Sequence, residues 1–217
     1  MSRRLQIACE GPTDYTVILA AADAIIGEYV PVLLQPEMSA ANALGPHGGG
    51  WKGVKAWCEQ IRAQGGIGTL AEEDAIVVVH LDADVADEAE IACARPCPPP
   101  SDTTDALAAH ALNWLGETAM PPRTLLCLPS KCTEAWILAG LFPDDAIVAQ
   151  GIECRPSPEA LLVPQRPKFI AKKGGRYRKL PEVYTAHRAE ITVAWPTIDK
   201  HCTRAKSFGD ALRLAAT

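Results

Sequence analysis

Ala75-Ile76-Val77-Val78-Val79-His80-Leu81-Asp82-Ala83-Asp84 is the stretch whose reading decides the fold class. Its β-branched and aliphatic run is short and does not alternate, the pattern of a strand buried on both faces in a parallel sheet. The run stops at two carboxylates one residue apart. Ligands of such sheets collect beyond the carboxyl ends of the strands, where Asp82 and Asp84 fall. On an extended chain, residues i and i+2 point the same way, so the two acids are expected side by side. Adjacent carboxylates repel unless a cation lies between them, and a hard divalent ion, Mg2+ or Mn2+, suits oxygen ligands. A solvated polar strand end is the plainer alternative.

A second acidic tip lies upstream. Leu5-Gln6-Ile7-Ala8-Cys9 reads as a short strand running into Glu10-Gly11-Pro12-Thr13-Asp14. Gly11 and Pro12 predict a sharp turn, Thr13 an N-cap, and Asp14 the first turn of a helix reaching Ile25, where the dipole favours an acid. Glu10, at a buried strand tip, needs a partner. Val30–Leu34 is a further strand, followed over residues 35–50 by an irregular loop ending in Pro46-His47-Gly48-Gly49-Gly50. No Gly-Lys-Ser/Thr follows these glycines, so they are not a phosphate loop, and His47 reads as a solvated loop histidine. Trp51–Ala63 has helical periodicity, with Val54, Trp57, Cys58 and Ile61 on one face.

After the central strand comes a proline-rich linker over residues 85–101. It carries Asp87, Glu88 and Glu90, a solvated face from which one acid could reach the same cation. A helix capped by Ser101 or Asp102 is expected to about Gly116, then a strand over Thr124–Leu128. Ser130-Lys131-Cys132-Thr133-Glu134-Ala135-Trp136 opens a further helix. Lys131 and Glu134, three apart, are expected to share a helical face, the lysine to neutralise a phosphate and the glutamate to complete a metal shell. A surface ion pair is the alternative.

The length of 217 residues suits one domain, or one with an appendage. The net charge of −5 hides an asymmetry: residues 1–164 carry 9 Lys+Arg against 22 Asp+Glu, and residues 165–217 carry 12 against 4. An acidic body, residues 1–150, is thus followed by a basic, helical extension, residues 151–217. Within it Lys168, Lys172, Lys173, Arg176, Arg178 and Lys179 interleave with Phe169 and Tyr177, a surface suited to phosphate backbones and stacked bases. Two or three short helices follow, packed on the body through Trp195, Ile198, Cys202, Phe208 and Leu212. No apolar run spans a bilayer and no signal-peptide pattern opens the chain, so a cytoplasmic location is expected. The eight cysteines are then expected to be reduced, buried thiols. Cys93-x3-Cys97 and Cys127-x4-Cys132 lack the tight pairing of a zinc ribbon, which leaves zinc as the lesser reading.

Glu10-Gly11-Pro12-Thr13-Asp14 and His80-Leu81-Asp82-Ala83-Asp84, in that order within alternating strands and helices, resemble the Toprim domain of topoisomerases, primases and the overcoming-lysogenisation-defect nucleases. The segment from Pro129 to Trp136 is similar to one that follows the fourth strand in small stand-alone Toprim-like proteins of prokaryotes. The resemblance covers residues 4 to about 140. It implies a Toprim-like, mostly parallel four-stranded sheet between helices, with Glu10 as general acid or base and Asp82 and Asp84 holding Mg2+ or Mn2+. Asp14 and Glu134 would complete a second metal shell, and Lys131 would offset charge on the phosphate. It further implies hydrolysis of DNA or RNA, an ABC-type ATPase partner in anti-phage defence, and room for a homodimer. No tyrosine is placed as a topoisomerase nucleophile.

Three other readings compete. A haloacid-dehalogenase phosphatase also has an Asp-x-Asp strand end, with a nucleophilic first Asp, but that motif normally opens the chain. A receiver-like domain orders its acids differently. A non-catalytic, Toprim-shaped subunit that docks on an ATPase and binds nucleic acid would keep the carboxylates without using them.

Overall fold

The computed structural model describes residues 3–37, 45–71 and 74–217. Residues 38–44, the middle of the loop expected over 35–50, lie outside the described residues. Four strands form one sheet: β1 (Arg4–Ala8), β2 (Val30–Gln35), β3 (Ala75–His80) and β4 (Thr124–Cys127), linked through α1 (Pro12–Ile25), α2 (Gly50–Ala63) and α3 (Ser101–Leu115). The sheet order is β2-β1-β3-β4 and every pair is parallel. The chain is therefore α/β, with helices between successive parallel strands, as continuous apolar strands require. All six residues of β3 are buried.

Sequence order reverses between β1 and β3. From β1 the chain goes to β2 on one side, then returns to place β3 on the other. That switch point opens a crevice at the carboxyl ends of the two central strands, the usual ligand position in such sheets. Glu10 follows β1 and Asp82 follows β3, so both acidic tips reach the same crevice.

Side chains of the strands alternate between two cores. Val77, Val79 and Leu81 join Val54, Trp57, Leu107 and Trp114 from α2 and α3. Leu5, Ile7, Ile76 and Val78 join α1 and apolar residues of every element after β4 except the last strand. The elements after β4 are α4 (Thr133–Leu141), α5 (Ala146–Ala149), α6 (Pro158–Leu162), β5 (Ile170–Lys173), β6 (Arg176–Lys179), α7 (Pro181–Ala186), α8 (Arg188–His201) and α9 (Thr203–Ala215). Trp136 of α4 meets Trp195 of α8 edge-on at 5.7 Å and stacks on Phe208 of α9 at 6.2 Å. The expected packing of Trp195, Ile198, Cys202, Phe208 and Leu212 holds, since all five are buried in this core.

Four expectations change. Helix α1 starts at Pro12 with Gly11 as its N-cap, not at Asp14 with Thr13; proline fits the first helical position because its missing N–H would be unbonded there. Helix α4 starts only at Thr133, after Cys132, so Lys131 precedes it and shares no helical face with Glu134. The extension is not purely helical: β5 and β6 form an antiparallel hairpin. Gly174 and Gly175 join them, both at positive φ, which a two-residue turn of this hand requires. Finally, Cys97 and Cys154 form a disulfide, while the other six cysteines are free and buried as expected. The bond joins the proline-rich linker to the segment before α6, two loops that converge although 57 residues separate the cysteines.

Candidate functional site

The site is built on the alternation of β3. Ile76, Val78, His80 and Asp82 project in one row toward α1 and α4, and the backbone is still extended at Asp82 (φ −71°, ψ 134°). Residues Ala83–Asp87 then coil into a 3-10 turn, and the alternation ends. His80 and Asp82, not Asp82 and Asp84, are the neighbouring pair: His80 Nε2 lies 3.2 Å from Asp82 Oδ1. Asp84 reaches solvent at a separate opening, with Asp87, Lys131, Cys132 and Glu159.

Hydrogen bonds tie the two strand tips together. Glu10 Oε1 accepts from the backbone N–H of Asp82 at 2.8 Å. Thr133, the first residue of α4, donates its N–H to Asp82 Oδ1 at 3.2 Å and its hydroxyl to Asp14 Oδ1 at 2.7 Å. Helix N-terminal amides carry partial positive charge, which suits a carboxylate there. Glu134 is fully buried, and its Oε1 accepts from the Tyr184 hydroxyl at 2.6 Å.

A lysine sits among these acids. Lys179 Nζ lies 2.9 Å from Glu134 Oε1, 3.4 Å from Asp14 Oδ1 and 4.0 Å from Asp82 Oδ2. Lys179 ends β6 and pairs with Ile170, whose side chain is buried. Cross-strand partners share a face, so Lys179 turns inward with Ile170. It does not lie on the exposed basic surface to which the sequence assigned it. Lys168, Lys172, Lys173, Arg176 and Arg178 are exposed, as such a surface needs. Lys173 stands directly opposite Arg176, a like-charge pair that destabilises an isolated hairpin and that a phosphate would relieve.

Crowding sets the protonation. Burial, then Asp82, pushes Glu10 up to about 8. Burial and Asp14 raise Asp82 against the pull of His80 and Lys179. The desolvating surroundings, then Asp82 and Glu159, push Asp84 up to about 7. Burial would lower His80, but Asp82, Asp14 and Glu10 outweigh it and push the imidazole up to about 9. Burial likewise opposes ionisation of Asp14, and Lys179 and His80 overcome it and hold Asp14 low. Lys179 stays charged because Asp14, Glu134 and Asp82 outweigh its desolvation.

Asp14, His80 and Asp82 offer ligand atoms within 4.8 Å of one another, a group that could hold a metal ion. His80 Nδ1 is buried with no hydrogen-bond partner among the described residues, an orphaned state that a ligand would resolve, while Nε2 has the 3.2 Å contact with Asp82. The donor set of two carboxylates and an imidazole suits a divalent ion. Of the residues singled out in the sequence, Glu10, Asp14, Asp82 and Glu134 meet here, whereas Asp84 and Lys131 line the neighbouring opening. Four participants were not anticipated: His80, Thr133, Tyr184 and Lys179 in its actual role. The period-two row through Asp82 would have flagged His80; nothing local in the sequence would have flagged the other three. No family model matches the chain, and no curated protein or solved structure matches it.

Proposed function

We propose that the protein is a Toprim-like, Mg2+- or Mn2+-dependent phosphodiesterase that cuts DNA or RNA. One observation carries the reading: Lys179 belongs at once to the basic hairpin and to the carboxylate cluster. A backbone held on Lys172, Lys173, Arg176 and Arg178 is thereby led to a crevice that combines acids with an ammonium group. The strand order and the convergence of the two acidic tips support the Toprim resemblance.

Asp82 and Asp14 would hold the cation, with His80 as nitrogen donor. A divalent ion there supplies Lewis-acid polarisation of the phosphate and a more acidic water. Glu10, titrating near 8, is poised to take or give a proton around neutral pH. Lys179 offsets negative charge gathering on the phosphate oxygens. The ABC-type ATPase partner, the role in anti-phage defence and a homodimer belong to the proposal through the resemblance alone.

A non-catalytic nucleic-acid-binding subunit is favoured by a different aspect of the same lysine. Lys179 already compensates three carboxylates without any metal. The test is cleavage of plasmid DNA and of a total tRNA pool by the full chain in Mg2+, Mn2+ or EDTA, against Asp82→Asn and Glu10→Gln. The expected result is metal-dependent cleavage reduced roughly 10³-fold or more in both variants, which remain folded. Cleavage indifferent to both substitutions sinks the proposed site. Absence of cleavage and of Mg2+ or Mn2+ binding leaves the binding subunit.

A further inference from the structure

Beside the crevice, on the Asp84 side, lies an opening of ≈210 Å³ that the proposed reaction does not use. Cys132 and Glu159 line it, and the buried Glu134 lies beside them, the ligand atoms of the three within 4.8 Å of one another. Cys132 is 2 % exposed and Glu134 fully buried, while Glu159, in the first turn of α6, is half-buried. Glu134 supplies the independent sign of a ligand. Its Oε1 is taken by Tyr184 and Lys179, but Oε2 is buried with no hydrogen-bond partner among the described residues. A buried carboxylate oxygen without a partner is costly. With Oε1 held on the Lys179 side, Oε2 is the oxygen left for Cys132 and Glu159.

We infer that Cys132, Glu134 and Glu159 form a second metal site, selective for a thiophilic divalent ion such as Zn2+ over Mg2+. A thiolate is a soft ligand that Mg2+ does not seek and Zn2+ does. Binding expels the Sγ proton to solvent as the metal–sulfur bond forms. Three protein ligands leave a fourth position facing the opening, the arrangement of sites in which a water or substrate group completes the sphere. The side chain of Asp84 lines the same opening and adds negative charge to it. The site needs no phosphodiester chemistry, so it stands or falls separately from the proposed function. The disulfide fixes one wall: Cys154 lies two residues before Pro156, which lines the opening with Ser157 and Pro158.

The experiment titrates the full chain, stripped of metal and with its disulfide left oxidised, with Co2+ as a spectroscopic probe and with Zn2+ by calorimetry. In wild type one equivalent of Co2+ is expected to develop sulfur-to-cobalt charge-transfer absorption, a signal that Co2+ on Asp14, His80 and Asp82 lacks, and this band should be displaced by Zn2+ and untouched by excess Mg2+. Cys132→Ser should abolish that absorption and weaken Zn2+ roughly a hundredfold. Glu159→Gln, at a half-exposed position that tolerates change, should weaken Zn2+ about 10- to 100-fold while leaving the fold intact. Cys93→Ser, which alters a buried thiol elsewhere, should change nothing. Absence of the charge-transfer band in wild type, or its survival in Cys132→Ser, overturns the site. So does unchanged Zn2+ affinity in Glu159→Gln, which decides the matter if Cys132→Ser fails to fold.

Discussion

Lys179 is the residue on which the site balances. Its ammonium group faces Asp14, Glu134 and Asp82, and Glu134 has no exposure to water. Breaking a buried ion pair by removing one partner leaves an uncompensated charge, at roughly 3–5 kcal/mol. Lys179→Met should therefore lower the melting temperature by roughly 10 °C in EDTA, and Mg2+ or Mn2+ should restore part of that loss by replacing the missing charge. A melting temperature unchanged in EDTA would show that the lysine does not compensate the acids. The same crowding predicts an inverted pH dependence. Glu10, Asp82, Asp84 and His80 all titrate higher in the folded chain than when unfolded. Each contributes stability that is complete below its unfolded value and lost as pH rises through its folded one. Asp14 runs the other way, but its contribution is lost only as pH falls below the ordinary carboxylate range. In EDTA the melting temperature should thus fall steadily from about pH 4, where the carboxylates of the unfolded chain begin to ionise, to about pH 9, the highest of these shifted values. The upward shift caused by Mn2+ should grow over the same span, because the ligands must shed protons to bind. Calorimetry at stepped pH measures both; a metal-free protein that grows more stable toward pH 9 would contradict the assignment.

Among elements, the β5–β6 hairpin joins surface to site. One of its faces turns Ile170 and Lys179 inward, while Lys173, Arg176 and Arg178 lie on the other and stay exposed. Replacing these three by Gln should weaken nucleic-acid binding uniformly across sequences and reduce the salt slope by about one per lost phosphate contact. Turnover at saturating substrate should be kept, because Lys179 remains. Fluorescence anisotropy over a salt series tests this; an unchanged slope would remove the hairpin from the interface. The sequence announced the sheet but not this element, for a physical reason. β3 is buried on both faces and so must be apolar throughout, and the strand tips declare themselves by an abrupt change to acids. The hairpin buries only one end, so its alternation is written in lysine and arginine and reads as a charged loop. The same contrast divides the site. Glu10, Asp14 and Asp82 were legible because each sits at a strand end or a helix start. Asp84 was misjudged in direction because a 3-10 turn cancels the period of two just after Asp82. Tyr184 and Lys179 were invisible because only tertiary packing brings them to Glu134, across 50 and 45 residues of chain.

At the scale of the whole molecule, the change of charge near residue 165 does not divide the core. Trp136, Ile7 and Val17 share one apolar cluster with Phe169, Tyr184, Trp195, Ile198 and Phe208. Burying each of those five later side chains is worth roughly 2 kcal/mol, about 10 kcal/mol together, which is comparable with the entire stability of an ordinary domain. Removing residues 151–217 would also withdraw Lys179 and Tyr184, leaving Asp14 and Glu134 buried without their cation or hydroxyl partner. It would cut the disulfide as well, since Cys154 lies beyond the break. A chain ending at residue 150 should therefore lack a cooperative thermal transition and expose apolar surface to a hydrophobic dye, although it retains all four strands of the sheet. Near-ultraviolet circular dichroism and dye binding decide the point. A cooperative melt in the truncated chain would mean that the acidic body folds by itself, with the basic extension only resting on it. The reach of Lys179 into the carboxylates would then be a docking contact rather than a consequence of one shared core.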